Sequence, residues 1–198
     1  MYNNPFCHIK YIFNILEKYL TFASDEVSQI VIFGKKIKIP RKQVAYGDNT
    51  LSYGFSGSNI PVNDWNKPET KDEKMIVKVL KELRDKVSLH TGILYNYVLI
   101  SRYKDGNEYI GFYRDNENEI RQEFGIACIS LGAQRDFIFK PHNFIPKDEY
   151  KELNMTLENG SLVEMKYPTN LHWKHSIPKR TKIKRPRISL TFRKINRK

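Results

Sequence analysis

Two residues that lie far apart in the chain carry side chains suited to binding a metal ion. Asp115 supplies a carboxylate, and His175, sixty residues later, supplies an imidazole. Non-haem Fe(II) oxygenases bind iron through two histidines and one carboxylate and leave other positions open for cosubstrate and oxygen. The first histidine usually stands two residues before the carboxylate, so that both side chains leave an extended segment on one side. That position holds Tyr113. The sequence therefore predicts two iron ligands and leaves the third in question.

Two arginines near the C-terminus suit a dicarboxylate cosubstrate. Arg187 and Arg193 stand six residues apart in an apolar run typical of a strand, so both side chains should leave it on the same side. A 2-oxoglutarate molecule chelates iron through its keto-acid end and needs a cation for its distal carboxylate. Arginine suits that role because its planar guanidinium can bind a carboxylate through two hydrogen bonds.

The composition predicts one globular domain. The chain has 198 residues, of which 40% are hydrophobic and 13% aromatic, so it can bury a sizeable core. No apolar run approaches the length of a membrane span, and the N-terminus does not have the pattern of a secretory signal. Cys7 and Cys128 share no metal-binding spacing, and we expect free thiols in a reducing, intracellular compartment.

The positive charge is high and unevenly distributed. The formal net charge is +12, and ten of the last twenty residues are basic while none is acidic. A second basic stretch lies between Lys35 and Lys42. Clustered Lys and Arg favour a polyanionic partner such as nucleic acid, and the alternative is a basic surface that only keeps the protein soluble.

The apolar patterns predict two helices followed by a β-rich half. Helical spacing of apolar residues indicates helices over 5–23 and around Ile76 to Val87. Short apolar runs separated by turn residues indicate strands; they are 95–103, 124–131, 136–140, 161–167 and 187–194. This order predicts a mainly β fold of the α+β class, a sandwich or barrel with helices packed outside it.

From Ile32 to the C-terminus the chain resembles the AlkB family of Fe(II)/2-oxoglutarate dioxygenases, nearest the mammalian nuclear branch that repairs double-stranded DNA. The matching phrases include Phe33-Gly34-Lys35, Pro40-Arg41-Lys42-Gln43, Tyr53 to Gly57, Arg102-Tyr103-Lys104-Asp105-Gly106, Arg114-Asp115, Pro168-Thr169-Asn170, His175-Ser176 and Leu190-Thr191-Phe192-Arg193. The resemblance implies a double-stranded β-helix, or jelly roll, with N-terminal helices and a DNA-gripping hairpin. We expect an N-terminal helix within 1–28 and one domain over 29–198, with recognition hairpins in 29–60 and a core over about 92–198.

The resemblance also implies roles for individual residues. It gives Asp115 and His175 as iron ligands and as the catalytic pair, with Tyr113 at the first-histidine position. Residues implied to hold 2-oxoglutarate are Tyr103, Arg187, Thr191, Arg193 and Ser101. Residues implied to receive a flipped base are Tyr53, Phe55, Ser56, Tyr113 and Glu117. Residues implied to contact DNA are Phe33 as a wedge, Gly34, Lys35, Arg41 and Arg180. Without the resemblance, Phe33, Tyr53, Phe55, Tyr103 and Thr191 could each be ordinary packing residues.

The activity implied by the resemblance is oxidative demethylation of bases such as 1-methyladenine and 3-methylcytosine in DNA. Iron, 2-oxoglutarate and O2 would be required, and the methyl group would leave as formaldehyde. The implied protein is a monomer that acts on duplex DNA with one base flipped out, in the nucleus or cytoplasm and not on a membrane. The richness in Lys, Asn, Ile and Tyr indicates an AT-rich source genome, and viral genomes are one such class.

The chain departs from the family pattern at several positions. Ser101 replaces the asparagine of an Asn-Arg-Tyr triplet, and Phe112 replaces an acid. The segment 141–159, where relatives have a basic loop, carries four acids. Tyr113 at the first-ligand position leaves three interpretations open. Its phenolate binds iron, or Asp115 and His175 bind iron with water or His172, or iron chemistry is lost and the protein binds damaged or single-stranded DNA without repairing it.

Two other function classes compete with the repair enzyme. One is the catalytically silent nucleic-acid binder, which would bind duplex DNA even when metal is chelated. The other is a dioxygenase that acts on protein or small molecules, which would bind DNA weakly and with little dependence on salt.

Overall fold

A computed structural model describes residues 5–22, 29–32, 35–49, 51, 53–55, 58–142 and 151–196. The helices are α1 (Pro5–Tyr19), α2 (Lys71–Thr91) and α3 (Thr169–His172). The first seven strands are β1 (Gln29–Ile32), β2 (Lys35–Lys38), β3 (Lys42–Gly47), β4 (Tyr53–Phe55), β5 (Ser58–Ile60), β6 (Val62–Asp64) and β7 (Tyr97–Tyr103). The others are β8 (Ile110–Tyr113), β9 (Ile126–Gly132), β10 (Arg135–Pro141), β11 (Leu153–Leu157), β12 (Leu162–Met165), β13 (Trp173–Ile177) and β14 (Arg187–Arg193).

Two sheets form the body of the molecule. The larger has the strand order β12-β9-β14-β7-β3-β6, and the smaller has the order β11-β10-β13-β8. Neighbouring strands are antiparallel except β3 and β6, which are parallel. The inner faces of the sheets pack on each other, because Phe137 and Ile177 of the smaller sheet share a buried cluster with Tyr103 and Ile126 of the larger one. This is the jelly-roll arrangement that the sequence predicts.

The two long helices cover the outer face of the larger sheet. Alternate residues of β7 point in opposite directions, so that Val98 and Ile100 face the helices while Leu99 and Tyr103 face the smaller sheet. Leu16 of α1 and Leu80 of α2 are buried in the same cluster as Val98 and Ile100. The side chains on the inner face of β7 therefore point into the space between the two sheets.

Helix α2 has well-defined ends. The Thr70 hydroxyl accepts a hydrogen bond from the Glu73 N–H, and the Glu73 carboxylate accepts one from the Thr70 N–H, which completes a capping box. Gly92 ends the helix with a φ of +74°, a conformation that glycine adopts without strain. These local signals explain why this helix was predicted well from sequence.

The predicted and observed elements differ in a few places. Helix α1 ends at Tyr19 rather than continuing to residue 23. The segment 141–159 was predicted as a loop, but it contains strand β11, which pairs with β10. His172, named above as an alternative iron ligand, ends α3 and is exposed, because the chain turns there before β13 begins. Within the described ranges, no helix is long and apolar enough to cross a membrane.

Strands β1 and β2 form the hairpin predicted for the basic N-terminal stretch. Their register pairs Gln29 with Lys38 and Ile32 with Lys35. The wedge residue Phe33 and its neighbour Gly34 lie outside the described residues. The geometry therefore supports a hairpin here, and its contact with DNA stays a prediction.

Candidate active site

A cavity between the two sheets is lined by all the residues predicted to bind iron or 2-oxoglutarate. Strand β14 contributes alternate side chains to it, which are Arg187, Ser189, Thr191 and Arg193. This confirms that the two arginines leave the strand on the same side. The other lining residues are Arg41, Gln43, Leu99, Ser101, Tyr103, Ile110, Tyr113, Asp115, Cys128, Phe137, Leu157, Met165, His175 and Ile177.

Asp115, Arg193 and His175 form a buried cluster at one end of this cavity. Their side chains are at most 2% exposed. The Arg193 Nη2 group donates a hydrogen bond to Asp115 Oδ1, and Asp115 Oδ2 lies 3.4 Å from His175 Nε2. Burial alone would raise the pKa of the Asp115 carboxyl. Arg193 and His175 outweigh that effect and hold this pKa well below its ordinary value, so the carboxylate is ionised.

Asn170 and Gln122 hold the backbone of Asp115 in place. The Asp115 N–H donates to Asn170 Oδ1 over 3.2 Å, and Asn170 Nδ2 donates to the Asp115 carbonyl. Gln122 Nε2 donates to the same carbonyl over 2.7 Å, and Asn170 Nδ2 also donates to Gln122 Oε1 over 2.9 Å. Sequence analysis gave neither residue this role. Asn170 belongs to a phrase that carried the resemblance, but no spacing rule links it to a residue 55 positions away.

Replacing Asn170 by alanine should weaken metal binding by roughly 10- to 100-fold, because the Asp115 backbone loses two of the bonds that fix it and so position its carboxylate. Titration with Mn²⁺ measures the change. Asn96→Ala is a matched control, since the buried Asn96 amide makes two similar bonds to the backbone of Ile195, which does not line the cavity. Both variants should unfold at a lower temperature. Equal metal affinity in the two would contradict the positioning role of Asn170.

Tyr113 stands beside His175 on the neighbouring strand. The two residues are register partners of β8 and β13, and their rings pack edge to face with centroids 4.3 Å apart. Burial, and then the negative charge of Asp115, raise the pKa of the Tyr113 phenol well above its ordinary value. The phenol therefore holds its proton at physiological pH when no metal is bound, whereas the imidazole that the family pattern has at this position can offer an unprotonated nitrogen to a metal.

Two of the side chains in the cavity, those of Asp115 and His175, are suited to bind one iron ion. Asp115 Oδ2 is a buried oxygen with no hydrogen-bond donor among the described residues, and it faces His175 Nε2 closely enough for both atoms to bind one ion. No group of three or more His, Cys, Asp or Glu side chains within the described part of the chain could complete the set. Among the described residues, Tyr113 lies beside His175 and is placed to supply a third protein ligand.

The opposite end of the cavity can hold a carboxylate. Arg187 donates through Nε to Ser130 Oγ over 2.8 Å, while its buried Nη1 has no hydrogen-bond partner among the described residues. The Arg187 guanidinium also lies 5.3 Å from the centre of the Tyr103 ring. A buried, unpaired donor on a charged group is costly unless a ligand accepts from it. Arg193 contacts Asp115, so Arg187 is the arginine placed to bind a distal carboxylate.

Ser101 and Thr191, also predicted to contact the cosubstrate, have protein partners. Ser101 Oγ accepts a hydrogen bond from Gln43 Nε2 over 3.2 Å. Thr191 Oγ1 contacts the sulfur of Cys128, a free thiol that lines the cavity. Both residues lie at the predicted place, and their contact with 2-oxoglutarate stays a prediction.

Arg135, which sequence analysis did not single out, connects the loops around the cavity. It is buried and donates to the carbonyls of Asp105, Glu108 and Pro178. Its guanidinium lies 5.5 Å from the Tyr103 ring centre. It therefore ties the turn after β7 to the segment after β13. A basic residue in a β-rich sequence gave no signal of this role.

The predicted DNA-contact residues are placed in different surroundings. Arg41 is buried and lines the cavity, and Arg180 donates through Nε to Asp136 over 2.6 Å. Lys35 belongs to β2, and Glu117 is partly buried in the turn after Asp115. Of the base-pocket residues, Tyr53 and Phe55 lie on β4, and Ser56 lies outside the described residues. Their contacts with DNA stay predictions.

Comparison with protein families decides what this cavity is. A model of the 2OG-Fe(II) oxygenase superfamily matches residues 27–193. The chain belongs to this superfamily. Fe(II) and 2-oxoglutarate, with O2, are therefore the cofactors of this oxygenase, as the sequence predicts.

Individual relatives place the oxygenase in the AlkB family. The DNA oxidative demethylase ALKBH2 of Bos taurus is 42% identical over 187 residues, a match that covers 93% of this chain and 63% of the relative. ALKBH2 of Homo sapiens is 41% identical, with 93% and 67% covered. The alpha-ketoglutarate-dependent dioxygenase alkB homolog 3 of Homo sapiens is 26% identical, with 79% and 52% covered. These identities confirm the resemblance to the AlkB family, near the ALKBH2 branch.

Solved structures agree on the fold. The structure of OsALKBH1 superposes with a TM-score of 0.54 at 17% identity and covers 94% of this chain and 91% of its own. A 2OG-Fe(II) oxygenase-family oxidoreductase from Burkholderia pseudomallei gives a TM-score of 0.51 at 14% identity, with 93% and 77% covered. At these identities the likeness concerns the fold alone.

Proposed function

We propose that this oxygenase removes methyl groups from alkylated DNA bases such as 1-methyladenine and 3-methylcytosine, and so repairs DNA. The observation that carries the proposal is the cavity, which holds the ionised Asp115 carboxylate beside His175 and the unpaired Arg187 donor. The substrate class is supported by relatives named DNA oxidative demethylases that are 41–42% identical over 93% of the chain.

Different side chains of the cavity would bind the metal, bind the cosubstrate and form the apolar walls. Asp115 and His175 would hold iron, Arg187 would bind the distal carboxylate of 2-oxoglutarate, and Arg193 keeps Asp115 ionised. Bound iron, 2-oxoglutarate and O2 supply the oxidation that turns the N-methyl group into formaldehyde, with succinate and carbon dioxide as coproducts. Leu99 and Ile177 give the cavity apolar wall surface, which would help to keep water from the reacting groups once substrate is bound.

The DNA side of the proposal rests on charge and on the hairpin. The net charge of +12 favours binding to phosphates, and strand β2 of the β1–β2 hairpin carries three lysines in four residues. The proposed substrate is duplex DNA with the alkylated base flipped into a pocket formed by Tyr53, Phe55, Ser56, Tyr113 and Glu117. The proposed protein is a monomer that works inside the cell, in the nucleus or cytoplasm, where DNA is found.

A second candidate function is DNA binding without repair. One observation favours it: Tyr113 occupies the first-ligand position with a phenol that holds its proton. Such a protein would bind methylated DNA and release no formaldehyde.

Succinate formation with different substrates tests the proposed function. We expect duplex DNA that carries 1-methyladenine to stimulate succinate formation from 2-oxoglutarate, while unmodified duplex does not. A trimethyl-lysine peptide, which represents a protein substrate, should also fail to stimulate it. Stimulation by the peptide alone would refute the DNA assignment.

Arg187→Gln should raise the KM for 2-oxoglutarate by roughly 10- to 100-fold, because a charged donor to the distal carboxylate is lost. Steady-state succinate formation at varied 2-oxoglutarate concentration measures it. Arg102→Gln is the control, since Arg102 on β7 pairs with Glu17 of α1 and not with the cavity. An unchanged KM in Arg187→Gln would place the distal carboxylate elsewhere.

A further inference from the structure

The outer face of the smaller sheet carries a basic and aromatic patch close to the active site. Its members, here called the outer patch, are Phe112 on β8, Lys140 on β10 and Lys174 on β13. Alternation along the strands turns their side chains away from the cavity, because the adjacent Tyr113, Phe139 and His175 face inward. The ring of Phe112 is 42% exposed.

Among the described residues, the outer patch has more positive than negative charge. Lys140 and Lys174 are register partners on adjacent strands, an arrangement in which like charges destabilise a sheet. The one acid within ion-pair distance of either lysine among the described residues is Glu152, 3.7 Å from Lys140. Arg114, which follows β8 directly, adds a further positive charge at this end of the sheet. This excess favours an anionic ligand.

The aromatic ring adds a second chemical preference. The Lys140 ammonium lies 5.5 Å from the centre of the Phe112 ring, so the exposed ring is bordered by a cation. An exposed aromatic ring next to lysines is the combination by which proteins bind single-stranded nucleic acid, with a base stacked on the ring and phosphates beside it. Duplex DNA does not offer an unstacked base face.

The position of the patch connects it to the cavity. Strand β8 is at the edge of the smaller sheet, where the two faces of the sheet meet. Phe112 and Tyr113 are adjacent on this strand and point to opposite faces. A nucleotide near the one held at Tyr113 could therefore reach Phe112.

We propose that the outer patch binds single-stranded DNA that flanks the base held in the cavity. The proposal rests on the proposed DNA substrate but not on turnover. It implies that single-stranded or locally opened DNA is bound over a longer stretch than the cavity alone could contact.

Fluorescence anisotropy with metal-free protein and unmethylated DNA tests the outer patch. For a 15-nucleotide single strand, Phe112→Ala should weaken binding roughly tenfold, and Phe112→Tyr, which keeps the ring, should not. Lys174→Gln should lower the slope of log affinity against log salt by about 0.7. Tyr11→Ala is the matched control, because Tyr11 is an exposed aromatic residue on α1, outside the outer patch, and this variant should bind as the natural protein does.

Two results would overturn the proposal. One is that Phe112→Ala binds the 15-nucleotide strand as tightly as the natural protein does. The other is an equal loss of affinity for a blunt 15-base-pair duplex, which would indicate general phosphate binding. Because the assay contains no metal or methylated base, it can succeed even if the repair activity is not found, and it can fail while formaldehyde release succeeds.

Discussion

Replacing Tyr113 by histidine should increase both the affinity for iron and the rate of demethylation, by at least roughly tenfold. The reason is that an imidazole is a neutral ligand at physiological pH, whereas the Tyr113 phenol holds its proton in the cavity. The substitution would complete a set of two histidines and one carboxylate. Strands β8 and β13 already pair Tyr113 with His175, so the new side chain should point into the same space.

Tyr113→Phe tests the phenol oxygen, as a metal ligand, separately from the aromatic ring. Phenylalanine keeps the edge-to-face packing on His175 but has no oxygen. If the phenol contributes to metal binding, Tyr113→Phe should bind Fe(II) more weakly than the natural protein. Anaerobic Fe(II) titration and formaldehyde release measure the two quantities. Equal iron affinity and rate in the natural protein and Tyr113→His would show that this position does not limit the site.

Asp115→Asn should abolish demethylation and also lower the free energy of unfolding by about 3–5 kcal/mol. The loss of activity follows from the loss of an anionic ligand. The loss of stability follows because Arg193, which is almost completely buried, would keep its charge without the carboxylate that faces it. Denaturant unfolding at neutral pH measures the second effect.

A double variant distinguishes the two consequences. Asp115→Asn combined with Arg193→Met removes both members of the buried pair, which is often close to neutral for stability. We expect the double variant to regain most of the lost stability and none of the activity. If Asp115→Asn alone were as stable as the natural protein, the pair would not be a stabilising feature of the fold.

The sequence predicted those parts of the fold that have strong local patterns. Helix α2 has a regular apolar stripe with a capping box and a terminal glycine, and its stripe residues Ile76, Leu80 and Leu83 are buried as expected. Strand β14 has alternating polar and apolar residues, and its polar side lines the cavity. In both cases neighbours in sequence determine the structure.

Features that depend on distant residues were missed. Strand β11 alternates apolar Leu153, Met155 and Leu157 with polar residues, but it is only five residues long and mostly exposed, and its pairing with β10 holds it in the sheet. The bonds from Asn170 to Asp115, and from Arg135 to three carbonyls, join segments that lie far apart in sequence. The ligand position of Tyr113 was identified through the family resemblance, since a single tyrosine after a glycine and a phenylalanine has no distinguishing pattern of its own.

Formaldehyde release from duplex DNA carrying 1-methyladenine, with Fe(II), 2-oxoglutarate and ascorbate, tests the central claim most directly. The natural protein would be measured beside Tyr113→His and Asp115→Asn. We expect the natural protein to release formaldehyde in step with succinate, Tyr113→His to be faster, and Asp115→Asn to be inactive. No release from the natural protein, together with release from Tyr113→His, would contradict the claim. It would mean that the fold and cavity are intact and that Tyr113 has made this chain a DNA-binding protein without repair activity.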